Sequence, residues 1–256
     1  MPKKKTKRGG LGALPLRLLD ATSLGVASAS AIAPLGGSLA LVVDDNEGIY
    51  LVGEGEPRLL RGREDAKGLG DLESVCVSDE GRTAYAVSEK KGQVFSFEVR
   101  RGRAGISLSE AVLLGVVARP GDVKNKGWEG ASFLRLDGAP HLVLVHEREP
   151  MAVGVFALPD LRPVALVALD GAFEELIADV ADVAVCPATG HLFLLSDQSA
   201  RVVEARLLPD GALEPVAAFD LALKGEKPEG IAFESPERLV IVTDASGRLL
   251  RYALDR

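Results

Sequence analysis

Short apolar runs closed by Gly, Asp, Pro or Ser recur along the chain, and five segments share one order of them. Each has an apolar run, a turn, a second apolar run ending near an acid, another turn, and a third run. The last segment is the clearest: PEGIAFES (228–235), a turn at Pro236-Glu237, RLVIVTD (238–244) and GRLLRYAL (247–254). The fourth reads ADVAVCP (181–187), HLFLLSD (191–197) and ARVVEARLL (200–208). The third reads WEGASFL (128–134), PHLVLVHE (140–147) and MAVGVFAL (151–158), and the second LESVCVS (72–78), RTAYAVSE (82–89) and GQVFSFEV (92–99). The first is the most degraded, with ASAIAP (29–34), SLALVVD (38–44) and GIYLVG (48–53).

Runs of this length, rich in β-branched residues and bounded by turn formers, are strands rather than helices. Equivalent starts at Ser30, Glu73, Glu129, Ala181 and Glu229 are spaced by 43, 56, 52 and 48 residues. Such a period with several strands per unit predicts an all-β fold: a single β-propeller of five four-stranded blades, with six blades as the alternative. Outer fourth strands follow from EAVLLGVV (110–117), RPVALVAL (162–169) and LEPVAAFDL (213–221). The last blade lacks one, and LPLRLL (14–19) is expected to supply it, closing the ring with an N-terminal strand and covering an exposed edge. One stretch breaks the β rhythm. GAFEELIADVA (171–181) spaces Phe173, Leu176, Ile177 and Val180 as a short helix would.

Composition narrows the function classes. The 256 residues form one domain over 11–256, after a basic tail (1–10) carrying Lys3, Lys4, Lys5, Lys7 and Arg8 that reads as disordered. Thirty basic residues against 37 acidic ones leave a charge of −7, which argues against a nucleic-acid partner. No long uncharged apolar run predicts a transmembrane segment. Arg17 and Asp20 interrupt the stretch a signal peptide would need, so the expected location is cytoplasmic, with export as the alternative. The expected oligomeric state is a monomer. Cys76 and Cys186 sit in apolar runs and read as buried thiols.

The chemistry lies in the acids. In a propeller the innermost strand begins at the mouth to which the next strand returns, so openers and closers meet there. The openers are Glu73, Glu129 and Glu229, with Asp179 and Asp182 flanking the fourth position; the closers are Asp44, Glu89, Glu147, Asp197 and Asp244. The connections 61–71, 118–127, 171–180 and 222–228 precede innermost strands and are expected to cap that mouth. Converging carboxylates repel unless a cation compensates, and an all-oxygen set favours Ca²⁺ over Zn²⁺. Three histidines, none in an HExxH spacing, point the same way. The expected metal ligands are therefore Glu73, Glu129, Asp179, Asp182 and Glu229. Trp128, Glu147, Arg148, Asp197, Arg201 and Asp244 are the expected ligand-binding residues of the mouth. As turn formers, Asp44, Glu89, Asp197 and Asp244 also have a plain structural reading. No GxSxG elbow and no phosphate-binding glycine loop occurs.

The motifs NKGWEG (125–130), HEREP (146–150), DVADVAV (179–185) with LFLLSD (192–197), and KPEGIAF (227–233) with LVIVTD (239–244) resemble the SdiA-regulated family of bacterial propellers, related to the phytase esterase-like propellers. The resemblance spans roughly residues 70–254. It implies a propeller with a bound calcium ion and no assigned activity. The chain departs from it at Ser74, where the family's Glu-Gly pair has Gly, at Asp182 within the DVSG-like motif, and at Ser30, where an acid is wanted. Two functions fit: a calcium-binding module for a small molecule or protein at the mouth, or a metal-dependent hydrolase of a lactone, ester or phosphoester, with catalytic residues unassigned.

Overall fold

The computed structural model describes residues 11–53, 55–65, 69–121, 127–223, 225–244 and 246–255. The basic tail, and Asn125 and Lys126 of the NKGWEG motif, lie outside the described residues. The chain enters through β1 (Ala13–Pro15) and β2 (Arg17–Ser23), then builds five sheets in succession. Blade one is β3 (Ala29–Gly36), β4 (Leu39–Asp44), β5 (Gly48–Val52) and β6 (Arg58–Gly62), in that order outward. Blade two is β7 (Leu72–Val77), β8 (Thr83–Ser88) and the long β9 (Gln93–Gly102), flanked by β10 (Gly105–Leu108) and β11 (Val112–Val116). Blade three is β12 (Trp128–Leu136), β13 (Ala139–His146), β14 (Ala152–Ala157) and β15 (Arg162–Ala168). Blade four is β16 (Asp182–Val185), β17 (Leu192–Ser196), β18 (Arg201–Leu207) and β19 (Leu213–Asp220). Blade five is β20 (Lys227–Ser235), β21 (Arg238–Asp244) and β22 (Arg248–Ala253). The protein is a five-bladed β-propeller, as the repeat predicts.

The second strand of each blade is largely apolar on both faces, because each sheet is packed between two neighbours. Val143, Val145, Leu142 and Leu144 are all fully buried, and so are Val240, Val242, Leu239 and Ile241. Alternate residues serve alternate interfaces. Val143 and Val145 pack toward blade four with Leu192 and Leu194, while Leu142 and Leu144 pack with Val87 and Val94 of blade two. Burying such side chains is worth roughly 1.5–3 kcal/mol each.

Closure divides the predicted N-terminal run between two blades. β2 is the antiparallel outer strand of blade five, with Leu18 opposite Tyr252 and Ser23 opposite Arg248. β1 instead adds to blade four, parallel to β19, with Leu14 beside Phe219. Arg251 ties the seam by bonding Asp20 (3.0 Å) and Glu234 (2.8 Å). In blade one, β6 takes residues first expected in a connection. The stretch 171–181 is a run of turns rather than a helix. The Ile177 amide reaches the Phe173 carbonyl (2.9 Å), but the Val180 amide turns away to Glu147 (3.2 Å). Its apolar residues Phe173, Leu176, Ile177 and Val180 are buried in the interface of blades three and four, so burial rather than helix formation accounts for their spacing.

Candidate functional site

Strand register explains why acids gather at one mouth. In four blades the innermost strand shifts register at its opening residue: Ser30 between Ala29 and Ala31, Glu73 between Leu72 and Ser74, Glu129 between Trp128 and Gly130, Glu229 between Pro228 and Gly230. The extra residue of such a bulge leaves the ladder and its side chain is re-aimed. All four turn into the channel mouth, where they line a cavity of about 380 Å³. In blade four the equivalent opener, Ala181, also lines the cavity but carries no polar group, and β16 begins after it with Asp182 opposite Leu195.

Around the same cavity stand Asp45, Glu89, Glu147, Arg148, Asp179, Asp197, Lys227 and Asp244. The charges are arranged unevenly. On the side of blades three to five, Arg148 reaches Glu147 (2.6 Å) and Asp179 (3.7 Å), and Lys227 is ion-paired with Glu229. Asp179 is buried and also accepts from the Ser196 hydroxyl and the Gln198 amide (3.3 Å). On the side of blades one to three, Lys90 lies 3.4 Å from Glu89 at the rim, and neither Glu73 nor Glu129 makes an ion pair of its own among the described residues.

That difference appears in their acidity. Burial, with the charges of Glu89, Glu73, Glu147 and Glu229 adding to it, pushes Glu129 up to about 9. Burial pushes Glu73 up to about 8, opposed by a hydrogen bond to Ser30 and reinforced by Asp45, Glu89 and Glu229. Glu229 and Asp197 are also raised, chiefly by burial, with Lys227 countering in both. For Lys227, burial acts downward, but the bond to Glu229 and the nearby acids leave its pKa raised.

Of the expected metal ligands, Glu73, Glu129, Asp179 and Glu229 come together at this mouth. Asp182 does not line it. It is 3% exposed and sits below the mouth, where its carboxylate accepts from the amides of Ile231 (2.8 Å) and Val183 (2.7 Å). A backbone bond from Ala131 joins them, so one side chain links the innermost strands of blades three, four and five. Those strands have a free edge toward the channel, and Asp182 satisfies amides that no further strand can reach. Its space exists because of glycine. A Cβ on Gly130 would stand 2.4 Å from Asp182 Oδ1 and 2.5 Å from its Cα. Burial raises the Asp182 pKa well above the ordinary value, against those amide bonds.

Of the expected ligand-binding residues, Glu147, Arg148, Asp197 and Asp244 line the cavity, whereas Trp128 and Arg201 do not. Trp128 is fully buried, edge-on to His146 and Phe156, because the residue after it takes the bulge position. Arg201 turns outward to Asp220 (2.8 Å) and the Leu176 carbonyl (2.8 Å). In blade one, Asp44 accepts from the amides of Ser28, Asn46 and Glu47, so it serves as a turn former and its neighbour Asp45 faces the mouth. Lys227 is the notable residue the pattern missed. It stands two positions before Glu229 at the opening of the same strand, and its nearness to the opener was a usable signal.

The family described as SdiA-regulated matches residues 27–247. The chain belongs to the SdiA-regulated family. No curated protein matches the sequence. Solved structures resemble this SdiA-regulated propeller in fold alone. One bears the provisional name gluconolactonase: TM-score 0.54, 12% identity, covering 95% of this chain and 94% of that one. A provisionally named oxidoreductase (glucose dehydrogenase) from Thermus thermophilus has TM-score 0.56 and 13% identity, covering 93% and 99%. A protein of unknown function from Bacteroides thetaiotaomicron has TM-score 0.54 and 12% identity, covering 95% and 73%. No helix among the described residues is long and apolar enough to cross a membrane.

Proposed function

We propose that the protein is a binding module that takes a hard dication, Ca²⁺, at its acidic mouth. The observation that carries this reading is the uncompensated burial of Glu73 and Glu129, pushed up to about 8 and about 9. A dication there would relieve the repulsion that Lys227 and Arg148 relieve on the other side. The donor chemistry fits: the mouth offers carboxylate oxygens and no histidine or thiolate. Among the described residues no three His, Cys, Asp or Glu side chains already stand as a closed ligand set. An ion there would draw on the glutamate side chains around the cavity. Glu73 and Glu129 are the ligands of first rank, with Glu229 and Asp179 held by their own cations nearby. When bound, the ion supplies positive charge for an anionic or oxygen-rich partner, and Arg148 and Lys227 flank it.

The test is thermal unfolding of the full chain in EDTA, calcium and magnesium. At calcium 100-fold above its dissociation constant, linkage adds about 2.7 kcal/mol, a rise of roughly 5–10 °C for a chain of this size. Glu129→Gln is expected to remove most of that rise. Identical melting in calcium and EDTA overturns the reading. Turnover of simple esters or lactones by the calcium-loaded protein would move it from module to hydrolase.

A further inference from the structure

The two mouths of the channel have opposite chemistry. Where the innermost strands end, away from the acids and beyond Asp182, a second cavity of about 700 Å³ opens. Ligand pockets fall in the range of roughly 300–1,000 Å³ and are mostly apolar with a few placed polar groups. This one follows that pattern. Pro34, Val77, Phe133, Val185 and Phe233, one from each blade, line it and remain half-buried. Water in contact with such a surface is unfavourable, and an apolar occupant removes it.

The aromatic walls are held in place. Phe133 is stacked with Tyr85 at 6.4 Å and lies under the Arg135 guanidinium at 5.6 Å, while Phe233 meets Phe193 edge-on at 4.9 Å. The rim charges are largely matched. Arg135 is bonded to Asp79 and lies 3.6 Å from Glu80. Arg101 is the exception. It is exposed, its Nη2 donates to the Leu35 carbonyl (2.8 Å), and no carboxylate pairs with it among the described residues. A guanidinium held this way keeps further N–H donors for a planar anion.

We propose that this second mouth binds a small apolar monoanion, an aliphatic or aromatic carboxylate, with its body against Phe133 and Phe233 and its carboxylate on Arg101. The site is separate from the acidic mouth and does not depend on calcium there.

The probe is 8-anilinonaphthalene-1-sulfonate fluorescence on the full chain, with decanoate and decanol as competitors. Decanoate is expected to displace the dye roughly five- to tenfold more strongly than decanol, the worth of one charge-assisted pair at a partly solvated rim. Arg101→Met should erase that preference and leave decanol competition unchanged. Phe133→Ser should weaken both competitors. Should that variant fail to fold by circular dichroism, Val77→Gln probes the same wall. Val116→Ser, on the exposed outer strand of blade two, should change nothing. Equal displacement by the two competitors overturns the anionic assignment. Dye binding lost in Val116→Ser, or unaltered in the Phe133 and Val77 variants, overturns the location.

Discussion

Asp182 offers the sharpest test of how the channel is built. Asp182→Ala removes the acceptor shared by the Ile231 and Val183 amides, bonded at 2.8 and 2.7 Å, and the bond from Ala131. These amides lie on the innermost strands, and Asp182 is the side-chain acceptor that reaches them. Leaving a buried donor without its acceptor costs about 1–3 kcal/mol, so stripping the acceptor from these two amides costs about 2–6 kcal/mol. Removing a wholly buried polar carboxyl group offsets part of this. The net expected loss is about 2–4 kcal/mol, or roughly 5–15 °C in melting temperature for a domain of this size. Asp182→Asn keeps the shape but turns one oxygen into a donor facing donors, so it should lose about half as much. The assay is urea unfolding in EDTA for the parent and both variants, repeated with calcium. Because Asp182 lies below the mouth, the calcium-induced stabilisation should survive in both variants. A loss under about 1 kcal/mol for Asp182→Ala would refute the bridging role. Unchanged stability in EDTA together with a vanished calcium response would return Asp182 to the metal site.

Two further outcomes follow from the same geometry. Glu73 and Glu129 are held near 8 and 9 when folded, above their ordinary 4.5, so the folded state keeps protons that the unfolded chain sheds. Their stabilisation is complete below about pH 4.5 and is lost as pH rises through 8 and 9, at up to about 1.4 kcal/mol per pH unit per group. The urea midpoint in EDTA should therefore fall between pH 6 and 9 and fall less in Glu129→Gln; a rising midpoint contradicts the assignment. Deleting residues 11–23 uncovers the edges of β22 and β19 and removes the Arg251–Asp20 contact. Lower melting temperature and concentration-dependent association by gel filtration are expected; an equally stable, monodisperse product would show that β2 does not close the ring.

The sequence by itself determined the fold class and the strand phase, and favoured five blades over six; the five sheets of the structure decided the count. Apolar runs of strand length recur at a nearly constant period, and alternation fixes which residues face a neighbouring blade. It also placed Glu73, Glu129 and Glu229 at one mouth, since an opener's position follows from its place in the repeat. Only the tertiary structure decided where each acid points. Asp44 and Asp45 are adjacent and chemically alike, yet local amides claim Asp44 and leave Asp45 to the cavity. The bulges that turn four openers inward arise from pairing with the next strand. In blade four the equivalent opener is Ala181, and Asp182 takes the following position, held by Gly130 and Gly230 in blades three and five, which places it between strands. Trp128 and Glu129 likewise part company at a register shift, one into the core and one into the channel. Periodicity records burial averaged along a strand. The direction of one side chain depends on single hydrogen bonds between strands distant in sequence, and no local pattern encodes those.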